Sequence, residues 1–286
     1  MDDSGGFGAP PPPPPPSAGG GGQIPQRGLG DILTAAFDVY KANAGRLITI
    51  VAVVVVPLSF ISHFFTGVVF KAHEVTQDVV LGGQTISTTT VSSKSFGALV
   101  FGGLIAALIV VVISAALQAA LTRGAALATV GEPIDLEASY RYGFRRFGSV
   151  FWISLLVGII VAVGFILFII PGIIFLTMLA VAIPALIVEN RRGTDALGRS
   201  WNLVKGNFWH VLGTIVVAFI ITIVVSAVIG IFGDSNWFLQ WIFGSIAQII
   251  TAPFTALVSV LLYVDLRARV EGLTGDQLRA NLSTAA

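Results

Sequence analysis

The sequence predicts an all-α integral membrane protein: six transmembrane helices, arranged as three repeats of an interfacial helix plus two spans. Three observations carry this. The chain is 55% hydrophobic and only 11% charged, with a mean hydropathy of +0.90, whereas soluble domains carry about 25% charged residues. Its long apolar runs are separated by short charged segments. And an aspartate-to-base spacing recurs three times.

Residues 1–27 precede the first apolar run and include an unbroken proline stretch at 10–16 followed by glycines at 19–22. Polyproline stiffens as an extended rod and glycine makes a loose joint, so this segment reads as a disordered cytoplasmic tail. It also suits docking to a protein partner that binds proline-rich peptides. It lacks the basic start and apolar centre of a signal peptide.

Spans one and two are read at 47–70 and 96–122. Residues 149–188 then carry no charge over 40 positions. As one helix they would extend about 60 Å, twice the hydrocarbon thickness, so the chain must cross twice. Pro171-Gly172 marks the expected turn, giving spans at 149–170 and 173–189. Spans five and six follow at 209–232 and 239–264, and 271–286 forms a cytoplasmic tail. The membrane domain as a whole covers 28–270.

Orientation comes from the bases. Fourteen Lys and Arg fall on one side of this topology and only Lys71 and Lys94 on the other. By the positive-inside rule, both termini are expected to be cytoplasmic and residues 71–95 external, in the cell membrane. That external segment is rich in Val and Thr on either side of Gly82-Gly83, which reads as a β-hairpin, with an irregular loop as the alternative.

The repeat aligns Asp31, Asp135 and Asp195. Ten residues on, each copy has a base, Lys41, Arg145 and Lys205, and each then enters an odd-numbered span. In the third copy Leu197, Trp201, Val204 and Phe208 share a helical stripe opposite Asp195, Arg199 and Asn202. Leu33, Phe37 and Tyr40 form the matching stripe in the first. The middle copy departs, with Glu137 in the place of Leu33 and a stripe of Leu136, Tyr140, Phe144 and Phe147. Such segments are expected to lie in the interface plane. Lys41, Arg145, Arg199 and Lys205 would then meet anionic lipid, with Trp201 and Trp209 as anchors.

Glu189 and Asp265 end two of the even-numbered spans, in ALIVENR and LLYVDLR. The helix dipole disfavours negative charge there. They are expected to pair with Arg191, Arg267 or a base of another repeat, as exposed pairs worth about 0–1 kcal/mol each.

GEPIDLEASYRYGFRRFG, PGIIFLTMLAVAIPALIVENRRGTDALGRSWNLVKGNFWHVLG and LLYVDLRARVEGL resemble the membrane domain associated with bacterial glycerophosphoryl diester phosphodiesterases, over roughly residues 28–275. The resemblance implies a membrane location and fold. The catalytic barrel those enzymes carry has no counterpart in this sequence, so hydrolase activity is not carried over.

The residues themselves suggest no reaction. Without cysteine there are no disulfides, thiolate metal sites or thiol nucleophiles. Of three histidines, His63 falls within span one, His73 lies near Glu74 and Asp78 without matching a metal motif, and His210 sits at an interface. No cofactor or metal is expected, and the +1 net charge gives no field for nucleic acid. Apart from His63, the spans offer only amides and hydroxyls, among them Gln118, Gln248, Ser114 and Thr251, with interruptions at Pro57, Gly164, Pro184 and Pro253. The leading expectation is a non-enzymatic module for lipid organisation or partner scaffolding. The alternative is a transporter or flippase for a lipid or amphiphile, using broken helices; a membrane enzyme ranks last. A tightly packed bundle would favour the scaffold, and a polar cavity inside the membrane the transporter.

Overall fold

The computed structural model describes residues 23–64, 74–81, 84–91, 93–191, 193–233 and 236–284. The proline stretch, His73 and the Gly82-Gly83 turn lie outside the described residues, as do the side chains of His63, Glu74 and Asp78.

The helices are α1 (Leu29–Phe64), α2 (Ser93–Thr129), α3 (Leu136–Leu167), α4 (Ile169–Met178), α5 (Ala182–Val188), α6 (Asp195–Val204), α7 (Phe208–Gly230), α8 (Trp237–Glu271) and α9 (Gly275–Thr284). Between α1 and α2, β1 (Glu74–Leu81) and β2 (Gln84–Val91) pair antiparallel, with Glu74 opposite Val91 and Leu81 opposite Gln84. Among the described residues, six helical stretches are long and apolar enough to cross a membrane, α4 and α5 together making the fourth. The chain is thus a polytopic membrane protein.

The helices pack as two groups. One is α1, α7 and α8; the other is α2, α3 and α4. Close approach in the second group depends on small residues. A side chain at Gly143 of α3 would meet the Ala116 carbonyl of α2 at 2.5 Å, and one at Gly172 of α4 would meet the Phe165 ring at 2.5 Å. Tyr140 donates to the Ile50 carbonyl (2.5 Å) and Tyr142 to the Ile187 carbonyl (3.2 Å), tying α3 to α1 and α5.

Four expectations are corrected. First, only the third of the supposed interfacial helices is separate. In the other two copies the segment is the start of one continuous helix, α1 of 36 residues and α3 of 32. In the first copy, Asn43 donates to the Val39 carbonyl at 3.1 Å within α1, and the helix runs on. In the third, Gly206 precedes the corresponding asparagine, and Asn207 leaves helical geometry at φ −129°. Second, the turn between spans three and four falls at extended Phe168, not at Pro171-Gly172. Pro171 lies in the first turn of α4, where a missing N–H costs nothing.

Third, order begins earlier in the chain than the expected tail boundary at residue 27. Ile24 packs on the core and its N–H donates to the Leu273 carbonyl at 3.0 Å, beside a bridge between Gln23 and Thr274. Likewise the C-terminal segment is not a plain tail, because α9 buries Leu278 and Leu282.

Fourth, the α6 stripe expected in the interface plane is split: Val204 is buried with Ala196, Ser200 and Leu203, while Leu197 and Trp201 flank that face. Small side chains allow close docking: Ser200 donates to the Met178 carbonyl at 2.7 Å, fixing α6 at the end of α4.

Candidate functional site

Two features stand out: a polar cleft between the helix groups, and an ion-pair network at their charged end.

The network begins at the end of α5. Asn190, at φ 54°, adopts a left-handed conformation, and Arg191 N–H returns to the Leu186 carbonyl. The reversal places Glu189 between two helices. Its carboxylate accepts from Tyr263 Oη of α8 at 2.6 Å, Arg191 Nε at 2.5 Å and Arg199 Nε of α6 at 2.7 Å. Arg267 Nε lies 3.6 Å away. Glu271 closes the circuit by pairing with Arg199 and with Arg267, the latter at 3.0 Å. Expected as exposed, these pairs are largely buried: the Glu189, Arg199 and Arg267 side chains are only 10–15% accessible. Burial raises the Glu189 carboxyl, but the Tyr263 hydroxyl and the Arg191 and Arg199 guanidinia outweigh it and hold the group below the ordinary carboxylate range. Arg199 is desolvated too, yet its two carboxylates keep it firmly protonated.

Asp265, on the same helix, is fully buried. It accepts from Arg27 N–H at 2.6 Å and Arg269 Nε at 2.7 Å, with His210 Nε2 at 3.1 Å. Arg269 also donates to the Arg27 carbonyl. Asp265 therefore joins the N-terminal segment, α7 and α8.

The residues expected at the interface divide. Lys41, Arg145 and Lys205 are exposed, and Trp209 is 80% accessible. Trp201 lies at the edge of exposure, its ring 6.4 Å from that of Phe175. Arg199, expected to face lipid, faces protein instead. Tyr263 and Glu271 were not anticipated as network members, although Tyr263, Arg267 and Glu271 follow one another at four-residue helical spacing.

The cleft lies deeper. A cavity of about 680 Å³ is bounded by α2, α3, α5 and α8, together with Ala180 in the turn before α5. A second, of about 530 Å³, opens between α3–α4 and α7–α8. They share a waist formed by Gln118, Ser154, Ala180, Ile183, Thr255 and Ser259. The first cavity adds Ser114, Thr122 and Gln248. Among the described residues, no charged side chain lines either one. Along α8 the lining begins at Ser259, about 9 Å beyond Asp265, and reaches Gln248 about 16 Å further. Such a depth lies within the hydrocarbon layer.

A broken helix borders the waist. Pro184 has no N–H to return to the Ala180 carbonyl, and residues 179–181 form a turn between α4 and α5. The hydrogen-bonding capacity of the polar wall is mostly unspent. Ser154 donates to Gln118 Oε1 at 3.3 Å. Among the described residues, Ser114, Gln248 and Ser259 have no side-chain partner, and Ser114, Gln118 and Gln248 are exposed to the cleft. The described residues contain no group of three His or carboxylate side chains able to hold a metal.

A model of the family described as Domain of unknown function (DUF7847) matches residues 29–266. No curated protein and no solved structure matches the chain.

Proposed function

The chain belongs to the DUF7847 family, a domain of unknown function, and on that premise we propose that it binds an amphiphile within the membrane and organises or moves it there. One observation supports this: a cleft with exposed amides and hydroxyls at hydrocarbon depth. An unsatisfied polar group costs several kcal/mol in lipid, so the wall requires water or a polar ligand. Lipid organisation and amphiphile transfer both use such a space; partner scaffolding calls for a closed bundle. The break before Pro184, set against the waist, favours transfer, because discontinuous helices commonly form transporter sites.

The rest of the proposal follows the sequence. Both termini face the cytoplasm of a cell membrane, and the ion-pair network lies at the inner surface. The three-fold repeat and the kinship with phosphodiesterase membrane domains belong to the proposal as well; the family match does not bear on them. No reaction is assigned.

The test is to fill the waist. Ser259→Trp and wild type are purified in mild detergent, and bound lipid is counted by native mass spectrometry. Wild type is expected to retain a lipid that the variant loses at an unchanged melting temperature. Equal retention by two folded proteins would refute the reading.

A further inference from the structure

From the chemistry of the waist we infer that the cleft selects a lipid with an uncharged, hydroxyl-bearing headgroup, of the diacylglycerol kind. This rests on the amphiphile-binding reading. Among the described residues no charged side chain lines either cavity, so a phosphate or ammonium brought there would sit desolvated without a counter-charge. Glu189, Arg199 and Arg267 neutralise one another at the charged end, and neither they nor Arg123, which follows Thr122 on α2 and stacks on the Tyr142 ring, are among the lining residues.

What the wall presents is a mixed set. Gln118 and Gln248 each carry an amide that donates and accepts, and Ser114, Ser154 and Ser259 carry hydroxyls that do the same. That set complements a ligand whose hydroxyl and ester groups likewise donate and accept. A site built from hydrogen-bonding groups rejects ligands that leave those groups unpaired, so a plain hydrocarbon chain is a poor occupant of the waist. The second cavity is more apolar, with Val161, Leu176, Phe219 and Leu262 among its lining, and extends from the same waist. It offers a path for an acyl chain whose headgroup rests at Gln118 and Ser154.

Dioleoylglycerol and dioleoyl-phosphatidylglycerol are titrated separately onto the detergent-solubilised full chain, and bound lipid is read by native mass spectrometry. Two variants are compared with wild type: the double variant Gln118→Leu/Gln248→Leu, and Ser259→Trp. Dioleoylglycerol is expected to bind at least about tenfold more tightly than the phospholipid, and the double Gln variant to lose about tenfold for dioleoylglycerol alone. Free glycerol in large excess should not displace it, which separates a lipid site from a polyol site; displacement would overturn the assignment. Equal or tighter binding of the phospholipid, lost in Ser259→Trp, would overturn the headgroup assignment while leaving the amphiphile site intact. Binding of both lipids unaffected by Ser259→Trp would remove the site itself.

Discussion

Glu189→Gln tests whether the buried network holds the helix groups together. The substitution keeps the shape of the side chain and its ability to accept from Tyr263, but removes the charge. Arg199 and Arg267, at 15% and 12% accessibility, would then share Glu271 alone. Removing one partner of a buried pair costs about 3–5 kcal/mol. Glu271 remains paired with both guanidinia and is 32% accessible, so water reaches that side; the expected loss is about 2–3 kcal/mol. For a chain of this size that lowers the melting temperature by about 3–5 °C. The control is Glu137→Gln. Its pair with Arg141 is exposed, with side chains 79% and 67% accessible, and it should move the melt by less than about 2 °C. Both are read by thermal unfolding in the same detergent. A melt for Glu189→Gln no lower than that of the control would refute the buried-network reasoning.

The same carboxylate sets a pH dependence. Glu189 is held below its ordinary value in the folded state. Its contribution is therefore complete above the unfolded value of about 4.3 and is lost as pH falls through the lower folded value. Wild type should melt evenly from neutral pH down to about 5 and lose stability below about 4.3, and Glu189→Gln should flatten part of that slope.

Four further outcomes are expected. Asp265→Asn should loosen the anchoring of Arg27, so that hydrogen exchange at Arg27 and Gly28 rises at least about tenfold; unchanged protection there would show that Asp265 does not hold the segment. Truncation through residue 22 should leave stability unchanged, whereas truncation through residue 28 should lower the melt by several degrees, because it removes Ile24 and the Arg27 N–H. Because the chain contains no cysteine, single cysteines at Thr85 and Thr194 can be probed with an impermeant maleimide; labelling of 85 but not 194 in intact cells is expected, and the reverse would invert the proposed topology. A label at Trp209, 80% accessible, should be quenched by bilayer-resident quenchers more strongly than one at Trp201, which rests against Phe175; the opposite order would remove Trp209 as the main anchor.

The spans were legible because apolar length is a property of the chain alone. Helix continuity was not: the first copy runs on through Asn43 and the middle copy through Phe147, whereas the third leaves helical geometry at Asn207, after Gly206. The face of α6 was misread for a related reason. Leu197, Trp201 and Val204 read as one stripe facing the membrane, but close docking buries Val204 together with the small residues Ala196 and Ser200, and with them turns Arg199 inward to Glu189 and Glu271. The cleft was half visible. Gln118 and Gln248 stand out as amides within spans, but the serines and threonines do not, because a hydroxyl in a helix can bond its own backbone. Thr214, Thr222 and Thr251 do this, each donating to the carbonyl four residues earlier, while Ser259 has no such partner among the described residues. The sequence cannot separate the two kinds, since the difference lies in what stands opposite. At the waist, residues from α2, α3 and α8 converge on a turn that Pro184 prevents from being helical, and the polar groups left open there are those the proposed ligand would use.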